Sequence, residues 1–203
     1  MTPVTTDSER VRKSLRAALR VERRAIPPDL RAAAARRIAR HAARHFHLHP
    51  GQRVALYAPL PEELDVAPLM TAVRRHGGRI YVPRITDRRR RRMRFVPLVG
   101  AMRRNRLGIL EPQAAETLDA RWLDLVFLPL VGFDAAGVRL GMGGGYYDRA
   151  FAFTRVRRAW RRPRLIGLAF ALQRVAAITP AAHDVRLDAV VTEEGVIECS
   201  TGC

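Results

Sequence analysis

LGMGGGYYDR, residues 140–149, places four glycines, Gly141 and Gly143 to Gly145, ahead of two tyrosines and an aspartate. An apolar run, LDLVFLPLVGF, precedes it at 123–133, and a helix-like run, YYDRAFAFTRVRRAW, follows at 146–160. Strand, glycine loop and helix in that order is a common way for a chain to cradle phosphate. Glycines let backbone N–H groups approach the oxygens, and the next helix presents its positive end. The loop matches neither GxxxxGK[ST] nor GxGxxG, because Tyr146 and Tyr147 stand where the first needs Lys and Ser/Thr. A glycine-rich turn without a ligand is the plain alternative. Asp148, directly after the loop, shifts the weighing, since a carboxylate there can hold Mg²⁺ against a nucleotide. Asp184, in PAAHDVRLD, is a second carboxylate, whose plainer role is capping a turn.

Outward from the loop, the chain of 203 residues fits one domain, 1–203, with a loose tail at 1–7 and a C-terminal tail at 199–203. It is 48% hydrophobic, enough for a sizeable core, yet no apolar run nears the roughly 18 residues that cross a bilayer. The arginine-rich N-terminus lacks the apolar segment of a signal peptide, and Asp7, Glu9 and Glu22 argue against a transit peptide. A cytoplasmic protein, acting as a monomer and without a membrane, is expected. The net charge of +18 favours polyanions. The basic residues are spread along the chain with no nucleic-acid motif, so non-specific polyanion binding is expected rather than specific recognition. Cys199 and Cys203 form no framework and read as reduced, incidental thiols on the tail.

In chain order, a helix runs from Asp7 or Ser8 to Ala25, with Val11, Leu15, Ala18 and Leu19 as its apolar stripe. Arg12, Arg16 and Arg20 share one face. Spacing alone reads that face as solvated, and the sharper reading is an anion-binding edge. After Pro27–Pro28 a second helix at 29–46 carries Leu30, Ala34, Ile38 and Ala42 on one side. His41, His45, His47 and His49 cluster at its end, without the Cys, Asp or Glu that usually completes a metal site. Strands are expected at 53–58, 79–83, 93–98, 123–130, 164–170 and 187–192, with a helix at 66–76 capped by Asp65. Alternating strand and helix indicates an α/β sheet with parallel strands, whose ligands sit in loops beyond the strand C-termini. PLPEELD, 59–65, is one such loop. DRRRRR, 87–92, is expected to be a mobile hairpin tip.

FLPLVGFDAAGVRLGMGGGYYDR, 127–149, closely resembles the signature of the 5-formyltetrahydrofolate cyclo-ligase (5,10-methenyltetrahydrofolate synthetase) family. RKSLRAALRVERR at 12–24, APLPEELDVAPL at 58–69, RLGILEP at 106–112 and HDVRLDAVVTEEGVI at 183–197 resemble family elements in the same order, so the likeness covers nearly the whole chain. It implies a three-layer, mostly parallel α/β sheet flanked by helices, related to sugar-phosphate isomerases and CoA transferases. It also implies conversion of 5-formyltetrahydrofolate, possibly polyglutamylated, to 5,10-methenyltetrahydrofolate at the expense of ATP, with Mg²⁺. By resemblance, Arg12, Lys13 and Arg16 are basic ATP contacts. Leu140, Gly141, Met142, Gly143, Gly144, Gly145, Tyr146 and Tyr147 wrap the phosphates and the formyl end of the folate. Asp148 and Asp184 are Mg²⁺ ligands, and Glu63 with Ala58 lines the pterin pocket. Arg139, Gly143 and Tyr147 serve the chemistry.

Two positions depart from the family pattern: Met142, where a cation or Gln is usual, and Leu107, where an aromatic is usual. They keep open a weak or inactive nucleotide- or folate-binding relative. A basic nucleic-acid-binding protein is the more distant alternative.

Overall fold

The computed structural model describes residues 7–100, 102–104, 110–112, 116–156 and 162–199. α1 (Asp7–Ala25) and α2 (Pro28–His45) lead into β1 (Arg53–Ala55), α3 (Ala67–Arg75), β2 (Arg79–Asp87) and β3 (Arg92–Pro97). Two short strands, β4 (Met102–Arg104) and β5 (Leu110–Pro112), pair as an antiparallel ribbon. β6 (Leu125–Pro129) follows, then the ribbon of β7 (Gly132–Phe133) and β8 (Arg139–Leu140), then α4 (Tyr146–Ala150). β9 (Arg164–Leu168), β10 (Ala189–Val191) and β11 (Val196–Glu198) end the described chain.

The main sheet has seven strands in the order β11-β10-β9-β6-β1-β2-β3. Its inner neighbours are parallel, and β11 and β3 close the edges antiparallel. Period-two alternation explains why β6 reads as an unbroken apolar run. Leu125 and Phe127 pack with α2 and α3 on one face, while Val126 and Leu128 pack with Phe133 and Phe151 on the other. Ile166 and Leu168 of β9 face the first layer and Leu165 the second. A strand covered on both faces needs apolar residues at every position, and VFL at 126–128 is at most 1% exposed.

The helix after the glycine loop is much shorter than its sequence indicates. α4 has five residues and passes into a 3-10 turn at Ala152–Val156. Phe151 is fully buried between Phe95 and Phe153 and turns the chain into the core. Helix-dipole help for a phosphate is therefore smaller than a long helix would give. The expected stripe on α1 also shifts. Val11 is 61% exposed and Ala18 is exposed, while Leu19 and Arg23 are buried. The inward face thus includes the arginines. On α2, Ala34, Ile38 and Ala42 are buried but Leu30 is exposed. Cys199 is packed against the second core layer rather than free on a tail, and burial pushes its thiol up to about 12. Cys203 and Leu107 lie outside the described residues.

Sequence reading missed the β7–β8 ribbon, which turns through DAAG at 134–137. Gly137 has φ +76°, and a Cβ there would lie 2.5 Å from the Leu187 carbonyl oxygen and 2.9 Å from Cys199 Cβ. Both the backbone angle and the space exclude a side chain. Gly137→Ala is expected to cost about 2 kcal/mol through strain and displacement, read as a melting point lower by about 5 °C. An unchanged melting point would show that the turn relaxes freely.

Candidate active site

In chain order the sheet is built from β1 outward to β2, then resumes on the other side of β1 with β6, β9 and β10. The winding reverses between β1 and β6. At such a reversal the loops leaving two adjacent parallel strands diverge and open a crevice. The loop after β1 is PLPEELD, and the chain after β6 makes the β7–β8 ribbon and the glycine loop. The two loops singled out by sequence therefore flank one crevice.

A cavity of about 550 Å³ is lined by Gly141 to Asp148, Arg12 and Arg16 of α1, Arg139 of β8, and Asp184 with His183 from the segment before β10. Gly143 (φ +90°) and Gly145 (φ +67°) take left-handed backbone that bends the loop around this space. Arg16 Nε donates to the Gly141 carbonyl at 2.7 Å, so α1 fixes the start of the loop. Arg12 donates to Asp184 Oδ2 at 2.9 Å and to the Thr179 carbonyl at 2.7 Å. Burial, then the neighbouring Arg12, lowers the Arg16 guanidinium pKa from its ordinary value.

Arg139, 5% exposed, donates to Asp148 Oδ1 at 2.5 Å and to the Val185 carbonyl. The Val185 N–H in turn donates to Asp148 Oδ1 at 3.2 Å. Asp148 is thus tied to the residue beside Asp184. Asp184 Oδ2 also accepts from the Ala181 N–H at 2.9 Å, the turn-capping role its sequence allows.

Not every residue singled out by sequence meets the cavity. Leu140 is fully buried and packs with Val138 and Ile178, so its side chain faces the core. Lys13 is exposed on α1 and lies outside the lining. Ala58 and Glu63 also lie outside it, on the β1 side of the crevice. Glu63 is 8% exposed and accepts from the Leu60 N–H at 2.9 Å, and burial raises its pKa. Burial, and then the Glu63 charge, raises the pKa of the Tyr147 phenol.

Two features escaped sequence reading. Glu62, next to Glu63, is gripped by three arginines of α1: Arg20 Nη2 at 2.7 Å, Arg23 Nη2 at 3.2 Å and Arg24 Nη2 at 2.5 Å. The four-residue spacing of Arg16, Arg20 and Arg24 was the available signal. The other is Arg91, from the arginine run at the β2–β3 turn, which also lines the cavity. Nothing in a run of like charges marks one member as distinct.

A sequence model of the 5-formyltetrahydrofolate cyclo-ligase family matches residues 8–193. The chain belongs to that family. The 5-formyltetrahydrofolate cyclo-ligase of Escherichia coli is 31% identical over 190 residues, covering 89% of this chain and 99% of the relative. Among solved structures, the 5,10-methenyltetrahydrofolate synthetase of Aquifex aeolicus superposes with a TM-score of 0.78 at 24% identity, covering 95% of each chain. That of Mycoplasma pneumoniae gives 0.70 at 22% identity, covering 90% of this chain and 98% of its own. These likenesses support the α/β fold described above. No helix among the described residues is long and apolar enough to cross a membrane.

Two expectations concern the paired charges of the cyclo-ligase site. Removing one member of a buried pair strands the other charge, and here partial exposure of Asp148 softens the loss. Arg139→Ala and Asp148→Ala should each cost about 2 kcal/mol, and the double variant should fall short of their sum by about 1 kcal/mol in denaturant unfolding. Additive losses would mean the pair is not coupled. At Glu62, burial opposes ionisation, but hydrogen bonds from Arg24 and Arg20 outweigh it and hold the carboxyl below its ordinary 4.5. A depressed folded pKa gives stability that is present above the unfolded value and lost as pH falls through the folded one. Unfolding measured from pH 6 to pH 3 should therefore show a shallower acid limb in Glu62→Gln than in the parent, and superimposable limbs would remove Glu62 from the account.

Proposed function

We propose that the protein converts 5-formyltetrahydrofolate and ATP to 5,10-methenyltetrahydrofolate, ADP and phosphate. The observation that carries this reading is the convergence, at one crevice of a family member, of a glycine loop, α1 arginines and two aspartates facing an acidic β1 loop.

The chemistry fits those groups. A formyl oxygen on N5 belongs to an amide and is a poor leaving group. Transfer of the terminal phosphoryl of ATP to that oxygen makes it a good one. N10 then attacks the formyl carbon, the ring closes and phosphate departs with the oxygen. The protein has to align the two substrates and stabilise charge in transfer, and it needs no nucleophile of its own. Gly141 to Gly145 offer backbone N–H groups to the phosphates. Arg12 and Arg16 bind them from α1, and Arg139 orders Asp148. Glu63, beside Ala58, accepts hydrogen bonds from the pterin ring, and Tyr147 spans the two halves.

Mg²⁺ fits the same donors. It is commonly held by one or two carboxylates together with substrate phosphates and water. Among the described residues no group of three His, Cys, Asp or Glu is placed to cage a metal, so an ion held here would need substrate or water oxygens beside the two carboxylates. Asp148 and Asp184 would hold the ion, and both arginine bonds fall on a single oxygen of each carboxylate. Bound there, Mg²⁺ would neutralise phosphate charge. The protein is read as a monomer acting on small molecules in the cytoplasm.

The test mixes purified protein with 5-formyltetrahydrofolate, ATP and Mg²⁺ and follows the near-UV absorbance of the methenyl product. Product should form, and chelation of Mg²⁺ should stop it. Asp148→Asn should lower turnover by about 10²-fold on folded protein, partly recovered by added Mg²⁺. No product with wild-type protein would sink the reaction. Full activity in Asp148→Asn would remove only the metal assignment.

A further inference from the structure

We propose that Arg91, at the tip of the β2–β3 hairpin, contacts the terminal phosphoryl group of the nucleotide and supplies the positive charge that the glycine loop lacks at Met142. This rests on the reading of the cavity as an ATP site.

The first ground is availability. Four arginines line the cavity: Arg12, Arg16, Arg91 and Arg139. Arg12 is committed to Asp184 and the Thr179 carbonyl, Arg16 to the Gly141 carbonyl, and Arg139 to Asp148 and the Val185 carbonyl. The Arg91 guanidinium makes no hydrogen bond or ion pair with the described residues, whereas its neighbour Arg90 pairs with Asp87 at 3.9 Å. Among the described residues Arg91 is the cavity arginine whose donors are all left for a ligand. Met142, 43% exposed on the loop, offers no charge.

The second ground is placement. A Cβ built on Gly145 would lie 3.5 Å from Arg91 Nη1, so the guanidinium rests against the end of the glycine loop. β3 packs on the segment after that loop through Phe95 and Phe151, with ring centres 5.8 Å apart. The hairpin also has an irregular register between Ile85 and Asp87, and Asp87 accepts the Arg90 N–H at 2.8 Å. These features hold Arg91 in left-handed backbone, φ +51°. A non-glycine residue there is costly and persists where its surroundings impose it.

The third ground is direction. Arg16 binds the Gly141 end of the loop, and Arg91 sits at the Gly145 end. That end leads into Tyr146 and Tyr147, which line the same cavity. On this proposal the phosphate that must meet the formyl oxygen lies at this end, by Arg91. A guanidinium keeps its charge at all working pH values and can bind two equatorial oxygens at once, where charge accumulates during transfer.

The test compares Arg91→Ala, Arg91→Lys and Arg90→Ala. Arg91→Ala should lower kcat by about 10²-fold, as for loss of one charge-stabilising donor, with KM for 5-formyltetrahydrofolate within about twofold. Arg91→Lys should recover part of the loss, and Arg90→Ala should match wild type. In equilibrium titrations, Arg91→Ala should weaken binding of a non-hydrolysable ATP analogue by about tenfold, equivalent to one lost contact, and ADP binding by much less. Wild-type kcat in Arg91→Ala, an equal loss in Arg90→Ala, or equal weakening of ADP and the ATP analogue would each overturn the proposal. If wild-type protein shows no turnover, the proposed reaction falls, and the comparison of ATP analogue with ADP still decides the contact of Arg91.

Discussion

The site depends on one helix burying its charged face. Arg12 and Arg16 of α1 reach the Asp184 loop and the glycine loop, while Arg20, Arg23 and Arg24 grip Glu62. Putting guanidinium groups into a protein is costly unless they find partners, and Arg23 shows how far this has gone. It is 2% exposed, donates to both the Leu130 carbonyl and Glu62, and has a buried Nε without a partner. Its two bonds join the chain leaving β6 to the loop leaving β1. The helix thus acts as a clasp across the crevice. The ion pairs have no substitute among the apolar contacts, because only Leu15 and Leu19 on that face reach the core.

The clasp matters because of where the sheet changes direction. Parallel strands send their outgoing loops to one end, and at the reversal between β1 and β6 neither loop has a neighbouring connection to pack against. Left alone, two diverging loops would move independently, and in-line transfer tolerates little misplacement. Arg31 adds to the restraint by donating to the Pro61 and Glu63 carbonyls. Gln173 does the same on the other side, at the Leu130 and Val131 carbonyls. Backbone carbonyls thus add to the hold that Glu62 gives the β1 loop, and Glu63 braces the same loop by accepting the Leu60 N–H.

What was legible in the sequence followed from local rules. The apolar runs at 123–133, 164–170 and 187–192 carry enough consecutive branched and aromatic residues to mark buried parallel strands. Asp65 stands two residues before an N–H that it accepts, at 2.9 Å from Ala67. The glycine loop was conspicuous because left-handed backbone needs glycine. What was missed is decided by contacts distant in sequence. The helix after the loop ends at Ala150 because Phe151 finds Phe95, some 56 residues earlier, and nothing in YYDRAFAFTRVRRAW announces that partner. The arginines of α1 read as a solvated face because hydropathy cannot see Glu62, 42 residues from Arg20. Leu140 lay inside a motif and was credited with a ligand role, while its place in a strand turns it to the core.

The large positive charge of the chain can now be divided by its surroundings. In the cavity, Arg12 and Arg139 are each paired with an aspartate, so their charge is largely compensated before any ligand arrives. Pairs of this kind organise a site, but they attract an anion weakly beyond their own separation, because the dipole field of a pair falls off faster than that of a single charge. An attractive field requires cations that are not neutralised, and Arg91 at the tip of the β2–β3 hairpin, exposed at the edge of the cavity, is one. Exposed charge acts through water and salt, over about 8 Å at physiological ionic strength, so the hairpin can draw in a polyanionic nucleotide before Arg91 meets its terminal phosphate. Compensated arginines inside and uncompensated ones at the rim therefore divide the work between holding loops in place and drawing phosphate to them, and this division explains how so basic a chain can still build a site around two aspartates.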